Sequence, residues 1–137
     1  HNVAAATAAI IVCKGEVLMT VRAKAPGKGQ LDLPGGFVDP NESLEMALSR
    51  EIKEELNLDI TQCQYFKGLS NTYTYKDITY YTMDCVFTCE LGEKPTIAVE
   101  HSEIAAYEWI PLAALDTQKM AFKSLRTAIE SYRQQIG

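Results

Sequence analysis

The sequence lacks any run of about 18 or more apolar residues, the length that a helix needs to cross a bilayer. Its apolar opening stretch, residues 4–12, also lacks the basic segment that begins a secretory signal peptide. These absences predict a cytoplasmic protein with no membrane partner. The chain begins at His1 without an initiator Met, which fits a trimmed chain or a fragment of a longer one.

The four cysteines form no CxxC pair, and no histidine stands near them at metal-ligand spacing. A zinc knuckle is therefore not expected. Without export signals, cysteines in a chain of this size are expected to be free thiols of the core in a reducing compartment. This prediction covers Cys13, Cys63, Cys85 and Cys89.

An excess of positive charge is also absent, because 13 Lys and Arg face 18 Asp and Glu and leave a net charge of −5. This balance argues against broad affinity for the phosphates of nucleic acids. An anionic substrate would have to be received through a metal ion and a few local cations. With no repeat or low-complexity tract, the 137 residues predict one domain, residues 1–137.

Acidic residues are concentrated late on one predicted helix. Glu51, Glu54 and Glu55 are related by i, i+3 and i+4, so their side chains are neighbours and each like-charge pair costs roughly 0.2–0.5 kcal/mol. Near a helix C-terminus they also face the negative end of the helix dipole. Glu51 and Glu55 fall within the apolar arc of the helix, and Glu54 lies at its edge. A divalent cation is the simplest group that would offset this cost.

Residues 36–58, which contain this helix, read GFVDPNESLEMALSREIKEELNL. The segment resembles the Nudix box, G-x5-E-x7-R-E-U-x-E-E-x-G-U with U aliphatic, at every specified position except one. Asn57 stands where the family has its last glycine. Because Asn is the residue type next most able to adopt a left-handed helix cap, we expect the cap to survive. The wider sequence is similar to bacterial NADH-pyrophosphatase-like Nudix proteins.

The resemblance implies a metal-dependent hydrolase that acts on a diphosphate linkage. Its metal ligands would be the carbonyl of Gly36 and the carboxylates of Glu51, Glu54 and Glu55, with Mg²⁺ or Mn²⁺ as cofactor. Glu54 would also serve the chemistry.

Two further residues of the box leave alternatives open. Arg50 either orients a carboxylate through a bidentate bond or acts in the chemistry. Glu42 either caps the helix or assists the metal through water. Ser43 and Asn41 are both candidates for the helix N-cap.

A general base often lies outside the box in Nudix enzymes. Glu103, six residues before Trp109, resembles such a glutamate, and Glu100 is the reserve candidate. Both also fit exposed loop charges. His101 is expected to be a loop residue rather than a ligand.

The sequence indicates the substrate-binding residues less clearly than the metal ligands. Arg22 resembles a phosphate-binding arginine of the family, with Lys24 and Lys28 as weaker candidates. A base would be held by stacking, for which the predicted ligands are Phe37 and Tyr75. Most of the aromatic residues available for stacking, which also include Tyr65, Tyr73, Tyr80 and Tyr81, are expected to pack within the sheet.

Apolar alternation predicts strands over residues 3–12, 17–23, 62–75 and 78–90, a further strand ending at Trp109 and Ile110, and helices over residues 111–115 and 119–135 beside the box helix. The expected fold is α/β, a three-layer α/β/α sandwich with a mixed sheet, which is also the Nudix fold. The strand pair 62–90 would supply the interface of a homodimer.

The combined expectation is a pyrophosphohydrolase for a nucleoside diphosphate linked to another moiety. NADH, ADP-ribose and dinucleoside polyphosphates are expected ahead of simple nucleoside triphosphates. The alternatives are a sanitation-type nucleoside triphosphate pyrophosphohydrolase and a non-catalytic Nudix-like domain that senses a metabolite. In each case the partner is a small-molecule nucleotide, not a nucleic acid.

Overall fold

The computed structural model describes residues 2–137, which form seven strands, two α-helices and two short 3₁₀ turns. The strands are β1 (Val3–Cys13), β2 (Glu16–Arg22), β3 (Leu31–Asp32), β4 (Gly35–Phe37), β5 (Cys63–Tyr75), β6 (Ile78–Leu91) and β7 (Ile104–Pro111). The helices are α1 (Leu44–Leu56) and α2 (Lys123–Ile136).

All seven strands belong to one mixed sheet. Its main path runs β3-β2-β1-β6-β5, with β4 paired to β1 and β7 paired to β2. Among the strand pairs of residues 2–137, only β1 and β6 run parallel; the others are antiparallel. β1 pairs with β2 at Val12 and Cys13 but with β4 at residues 6–8. The sheet therefore forks at β1, and β4 leads directly to the start of the box helix.

The two faces of β1 pack against different helices. Ile10 and Val12 are buried with Ile129 of α2, whereas Ile11 is buried with Ile52 of α1. Because strand side chains alternate between faces, one apolar strand supplies both cores. The predicted three-layer α/β/α sandwich with a mixed sheet is confirmed.

Two predicted helices differ from the structure. Residues 111–115 form only a 3₁₀ turn, Leu112–Ala114, because β7 continues to Pro111 alongside β2. The last helix begins at Lys123 rather than 119, since Thr117–Lys119 is a separate 3₁₀ turn. The chain after that turn is held by Leu31, whose carbonyl accepts a hydrogen bond from the Ala121 amide at 2.8 Å.

Both ends of α1 are capped locally. Of the two candidate N-caps, Ser43 is the one used: its hydroxyl accepts a hydrogen bond from the Met46 amide at 3.1 Å. Asn57 ends the helix with φ 54° and ψ 38°, and its amide donates to the Lys53 carbonyl at 3.0 Å. The left-handed cap expected at Asn57 is therefore present.

All four cysteines are free, as predicted; three are buried and Cys63 is half-buried. Within residues 2–137, no helix is long and apolar enough to cross a membrane.

Candidate functional site

Three glutamates of α1, Glu51, Glu54 and Glu55, open onto a cleft of about 700 Å³, which we call the carboxylate cleft. Its other walls are strand β4 and the turn that precedes β7. The acidic residues that line it are Asp32, Asp39, Glu51, Glu54, Glu55, Glu100 and Glu103. The structure thus brings Gly36, the three predicted ligand glutamates and both candidate bases to a single cleft.

Arg50 is the centre of a hydrogen-bond network beside this cleft. Its Nε and Nη2 atoms donate to the two carboxylate oxygens of Glu42 at 2.7 and 2.9 Å. Its Nη1 atom donates to Glu51 at 2.9 Å and reaches Glu54 at 3.3 Å. Nη2 also donates to the Phe37 carbonyl at 3.1 Å. Arg50 therefore ties the start of α1, its last turns and β4 together.

This network decides the role of Glu42. Its carboxylate accepts the Asp39 amide at 2.8 Å and is not the cap of α1, which is Ser43. Hydrogen bonds from Arg50, and then from the Asp39 amide, lower the pKa of Glu42 to about 2. The Glu42 carboxylate in turn raises the pKa of Arg50 above its ordinary value. The pair is therefore a permanently charged clamp.

The three glutamates occupy different environments. The side chain of Glu51 is 18% exposed and that of Glu54 is 59% exposed, which agrees with their predicted positions on the helix. Burial raises the pKa of Glu51, and its bond with Arg50 opposes that shift. Of these three carboxylates, Glu54 is consequently the most open to an incoming group.

Glu55 is a largely buried carboxylate of the cleft. Its Oε1 atom accepts the Gly35 amide at 3.1 Å, but burial and then repulsion from Glu51, Asp32 and Glu103 raise its pKa to about 8. A buried carboxylate without a cationic partner is costly to ionise. A bound cation would remove that cost.

Several observations bear on whether these residues fit a divalent ion. As they stand, no three His, Cys, Asp or Glu side chains within residues 2–137 converge closely enough to hold one. The donors are nevertheless oxygens, which Mg²⁺ and Mn²⁺ prefer. Glycine at 36 leaves the approach open, because an added Cβ would lie 2.5 Å from Cδ of Glu51. The donor chemistry and the open approach at Gly36 therefore fit such an ion.

The turn before β7 is fastened to the end of α1. The Glu100 amide donates to the Glu55 carbonyl at 2.8 Å, which holds the turn against the cleft. Glu103 is exposed and pairs with Lys24 at 3.3 Å. The Ser102 amide and hydroxyl lower the pKa of Glu100. His101 is exposed and does not line the cleft.

Arg22 also lines the cleft and is already engaged by other groups of the protein. It donates to Asp32 at 2.8 Å and to the Pro26 carbonyl at 2.6 Å, and its guanidinium lies 4.9 Å from the ring centre of Phe122. Burial raises the pKa of Asp32, although the pairing with Arg22 opposes this. Lys24 lines the cleft as well, whereas Lys28 does not.

A second cavity of about 140 Å³, which we call the inner pocket, adjoins the cleft. Arg22, Asp32 and Phe37 line both cavities. Beyond them, the inner pocket is lined mainly by strands β1, β5 and β6 and by the start of α2. Its further polar and aromatic residues are Thr7, Asn71, Tyr73, Thr82, Asp84 and Phe122.

The tyrosine at this pocket differs from the one singled out in the sequence. Tyr75 lies at the end of β5 opposite Ile78, next to the hairpin turn, and lines neither cavity. Tyr73, two residues earlier on the same strand, lines the inner pocket and contacts the ring of Phe122 at 5.6 Å. The structure therefore favours Tyr73 over Tyr75 for a substrate contact.

Sequence reasoning missed the polar residues of the inner pocket. Asp84 lies on β6 between Thr82 and Val86, which share its face of the strand. A charged residue at an inward position of an apolar strand is a signal that could have been used. Asn71 had no comparable signal, because its burial follows from pairing with Thr82 in the folded sheet.

A family model described as "NUDIX domain" matches residues 1–132. The chain belongs to the Nudix hydrolase family. Nudix hydrolases generally use divalent metal ions, in keeping with the oxygen ligands of the carboxylate cleft.

A solved structure of a MutT Nudix hydrolase from Burkholderia pseudomallei has a TM-score of 0.82 and 27% identity to this chain, and the match covers 95% of this chain and 98% of that one. An 8-oxo-dGTP diphosphatase from Proteus vulgaris is 37% identical over 51 residues, which are 37% of this chain and 46% of the relative. An ADP-ribose pyrophosphatase from Methanocaldococcus jannaschii is 46% identical over 55 residues, 40% of this chain and 32% of the relative. The matched segments therefore span less than half of either relative.

Proposed function

We propose that this Nudix chain is a metal-dependent pyrophosphohydrolase, which cleaves the diphosphate linkage of a nucleoside diphosphate joined to another moiety. One observation carries the proposal: Glu51, Glu54 and Glu55 line one cleft with Gly36, and that cleft opens beside a pocket with aromatic walls. A diphosphate in the carboxylate cleft and a base in the inner pocket would lie on the two sides of Phe37.

The proposed ligands of Mg²⁺ or Mn²⁺ are Glu51, Glu54, Glu55 and the carbonyl of Gly36. When bound, the ion would supply Lewis-acid neutralisation of the phosphate charge. The chain itself must deliver the carboxylates in the right places. Arg50 does this for Glu51 and Glu54, both of which it holds by hydrogen bonds. We therefore assign Arg50 as a positioning residue.

The remaining assignments follow from position in the cleft. Glu54, the most exposed of the three box glutamates, is open to substrate and to ions. Glu103 is the proposed general base, because it lines the cleft. Among residues 2–137 its only ion pair is with the exposed Lys24, and such an exposed pair is weak. Arg22 would bind phosphate, and Phe37 would stack on the base. Tyr73 takes the role first given to Tyr75.

The favoured substrates are dinucleotides, namely NADH, ADP-ribose and dinucleoside polyphosphates. The relative named as an ADP-ribose pyrophosphatase supports this class. The relative named as an 8-oxo-dGTP diphosphatase supports the alternative, a nucleoside triphosphate pyrophosphohydrolase. A single domain over residues 1–137, a homodimer, a cytoplasmic location and the absence of a nucleic-acid partner stay predictions.

The decisive experiment measures the phosphate-bearing products formed with Mg²⁺ or Mn²⁺ from NADH, ADP-ribose, diadenosine polyphosphates and the nucleoside triphosphates. Two mononucleotides indicate a dinucleotide hydrolase, and pyrophosphate indicates a triphosphate pyrophosphohydrolase. Glu54→Gln should lower turnover by orders of magnitude while keeping the fold. The matched control is Glu45→Gln, an exposed glutamate of the same helix that does not line the cleft.

Two outcomes would overturn the proposal. Equal activity in Glu54→Gln and the wild type would remove the metal assignment. Tight binding of a metabolite without turnover of any panel member would establish the alternative of a metabolite-sensing domain.

A further inference from the structure

The inner pocket has the size of a site for one planar ring system. Its volume of about 140 Å³ is close to the roughly 150 Å³ of an engineered cavity that binds benzene. Tyr73 and Phe122 supply aromatic surface, and the pocket joins the carboxylate cleft past Phe37. A base that is larger than one ring can extend through this opening. The question is which base the polar groups of the pocket would accept.

Asn71 is the first of these polar groups. Only 8% of the residue is exposed, and it lines the inner pocket from β5. Within residues 2–137, no hydrogen bond joins its side-chain amide to another group, and the amide atoms are not completely buried. Because the residue lines the inner pocket, the amide is open to that pocket. It can therefore bond a polar group of a ligand that enters.

Asp84 is the second, and it is equally buried, with 8% of the residue exposed. It accepts hydrogen bonds from the hydroxyls of Thr82 at 3.0 Å and Ser124 at 2.5 Å. A carboxylate has about four lone-pair sites, so about two stay available. Ionised, it can only accept hydrogen bonds. Asp32 lines the same pocket, which makes the pocket rich in acceptors.

We propose that the inner pocket selects nucleobases that carry an exocyclic amine, with Asp84 accepting a hydrogen bond from the amine and Asn71 bonding the adjacent ring nitrogen. The amide of Asn71 can donate to N1 of adenine or N3 of cytosine, or accept from N1–H of guanine. Uracil and thymine present a carbonyl oxygen at the position of the amine. That oxygen would face the Asp84 carboxylate without a proton between them.

This inference rests on the proposed function, because it takes the inner pocket as the base site of the nucleotide substrate. Sites built to hydrogen-bond a substrate group reject analogues that lack it far more strongly than apolar pockets reject a missing methylene. For isolated nucleoside monophosphates we expect AMP, GMP and CMP to bind at least about tenfold more tightly than UMP.

The test is a metal-free NMR titration of the whole chain with AMP, GMP, CMP and UMP. The side-chain amide resonances of Asn71 should shift with the three amino-bearing nucleotides, and Asn71→Ala should weaken their binding about tenfold or more. Binding of UMP as tight as that of AMP would overturn the inference. Failure of all four nucleotides to bind at millimolar concentration would overturn it too.

Asp84→Asn provides the sharper test, because we expect this variant to gain affinity for one of the nucleotides. An asparagine can donate to the carbonyl of uracil, so this variant should bind UMP more tightly than the wild type and AMP less tightly. A misfolded variant cannot gain affinity in this way. Asp77→Asn, in the exposed hairpin turn where φ is already 63°, is the matched control and should leave all four affinities unchanged. Parallel weakening of all four nucleotides by Asp84→Asn would count against the inference.

The titration separates this inference from the proposed function, because it needs neither metal nor turnover. Selective binding of amino-bearing nucleotides without turnover would sustain base selection and reject the hydrolase. Metal-dependent turnover without base selectivity would reject base selection and sustain the hydrolase.

Discussion

Arg50 holds the carboxylate of Glu42 with two hydrogen bonds, from Nε at 2.7 Å and from Nη2 at 2.9 Å. The geometry is a bidentate pair, which is the strongest way for an arginine to hold a carboxylate. Because Nε and Nη2 are fixed on Glu42, the guanidinium directs Nη1 to Glu51 at 2.9 Å. Glu42 therefore fixes the orientation of Arg50, and Arg50 in turn positions Glu51.

Replacing Arg50 by lysine should expose this positioning role. A lysine keeps the charge but cannot bridge Glu42 and Glu51 with a planar fork. Loss of groups that orient metal ligands typically costs about 10–100-fold in metal affinity or activity. We expect Arg50→Lys to raise the Mg²⁺ concentration needed for half-maximal turnover about tenfold or more. Arg126→Lys, a change on α2 away from the cleft, is the control; the same metal dependence in both variants would reject the role.

The raised pKa of Glu55 predicts how the stability of the metal-free protein depends on pH. Because the pKa is about 8 in the folded state against 4.5 ordinarily, the folded state binds more protons than the unfolded state between these values. The free energy of unfolding should therefore fall as pH rises from 4.5 to 8, by at most about 1.4 kcal/mol per pH unit. Urea denaturation in the presence of a chelator at several pH values measures this slope.

Glu55→Gln is the variant that isolates this contribution. Glutamine keeps the shape and an acceptor for the Gly35 amide but carries no charge. The variant should lose most of the slope and be more stable than the wild type at pH 8, while binding metal more weakly. Glu45→Gln should retain the wild-type slope. Equal slopes in wild type and Glu55→Gln would show that other groups control the dependence.

We expect substitutions of Glu103 and Glu100 to affect turnover differently, although both residues line the same cleft. Glu103→Gln should lower turnover with little change in metal affinity, because its carboxylate is proposed to accept a proton and not to bind the ion. Glu100→Gln should have a smaller effect on turnover, since the Glu100 carboxylate is already engaged by Ser102. Turnover measured across a Mg²⁺ titration distinguishes the two. Full activity in Glu103→Gln would mean that Glu103 is only an exposed loop charge, and Glu100 would become the candidate general base.

The sequence predicted the parts of this site that are local in the chain. The orientation of Glu51, Glu54 and Glu55 follows from helical periodicity, and the sheet follows from the alternation of apolar residues. The box pattern itself supplied their chemistry. These features depend on residues only a few positions apart.

The inner pocket was not predictable in the same way, because strands distant in sequence build it. Asn71 and Asp84 come together only through the register of β5 and β6, and Phe122 arrives from the start of α2. The choice between Tyr73 and Tyr75 likewise depends on how far the hairpin extends beyond the pocket. The shortened last helix has the same origin, since its start is displaced by the contact of Ala121 with Leu31.

Asn57 provides a test of the one departure from the box. It ends α1 with φ 54°, where an asparagine is tolerated but most residues lose about 1–2 kcal/mol. Glycine would adopt this conformation freely but loses more chain entropy on folding, by roughly 0.5–1 kcal/mol. We therefore expect Asn57→Gly to change the free energy of unfolding by less than about 0.5 kcal/mol and Asn57→Ala to lower it by about 1 kcal/mol. Urea denaturation measures both changes. Because Glu54 and Glu55 lie in the last turn that this cap closes, metal-dependent turnover should be kept in Asn57→Gly; a large gain there would mean that Asn57 weakens the site rather than merely replacing a glycine.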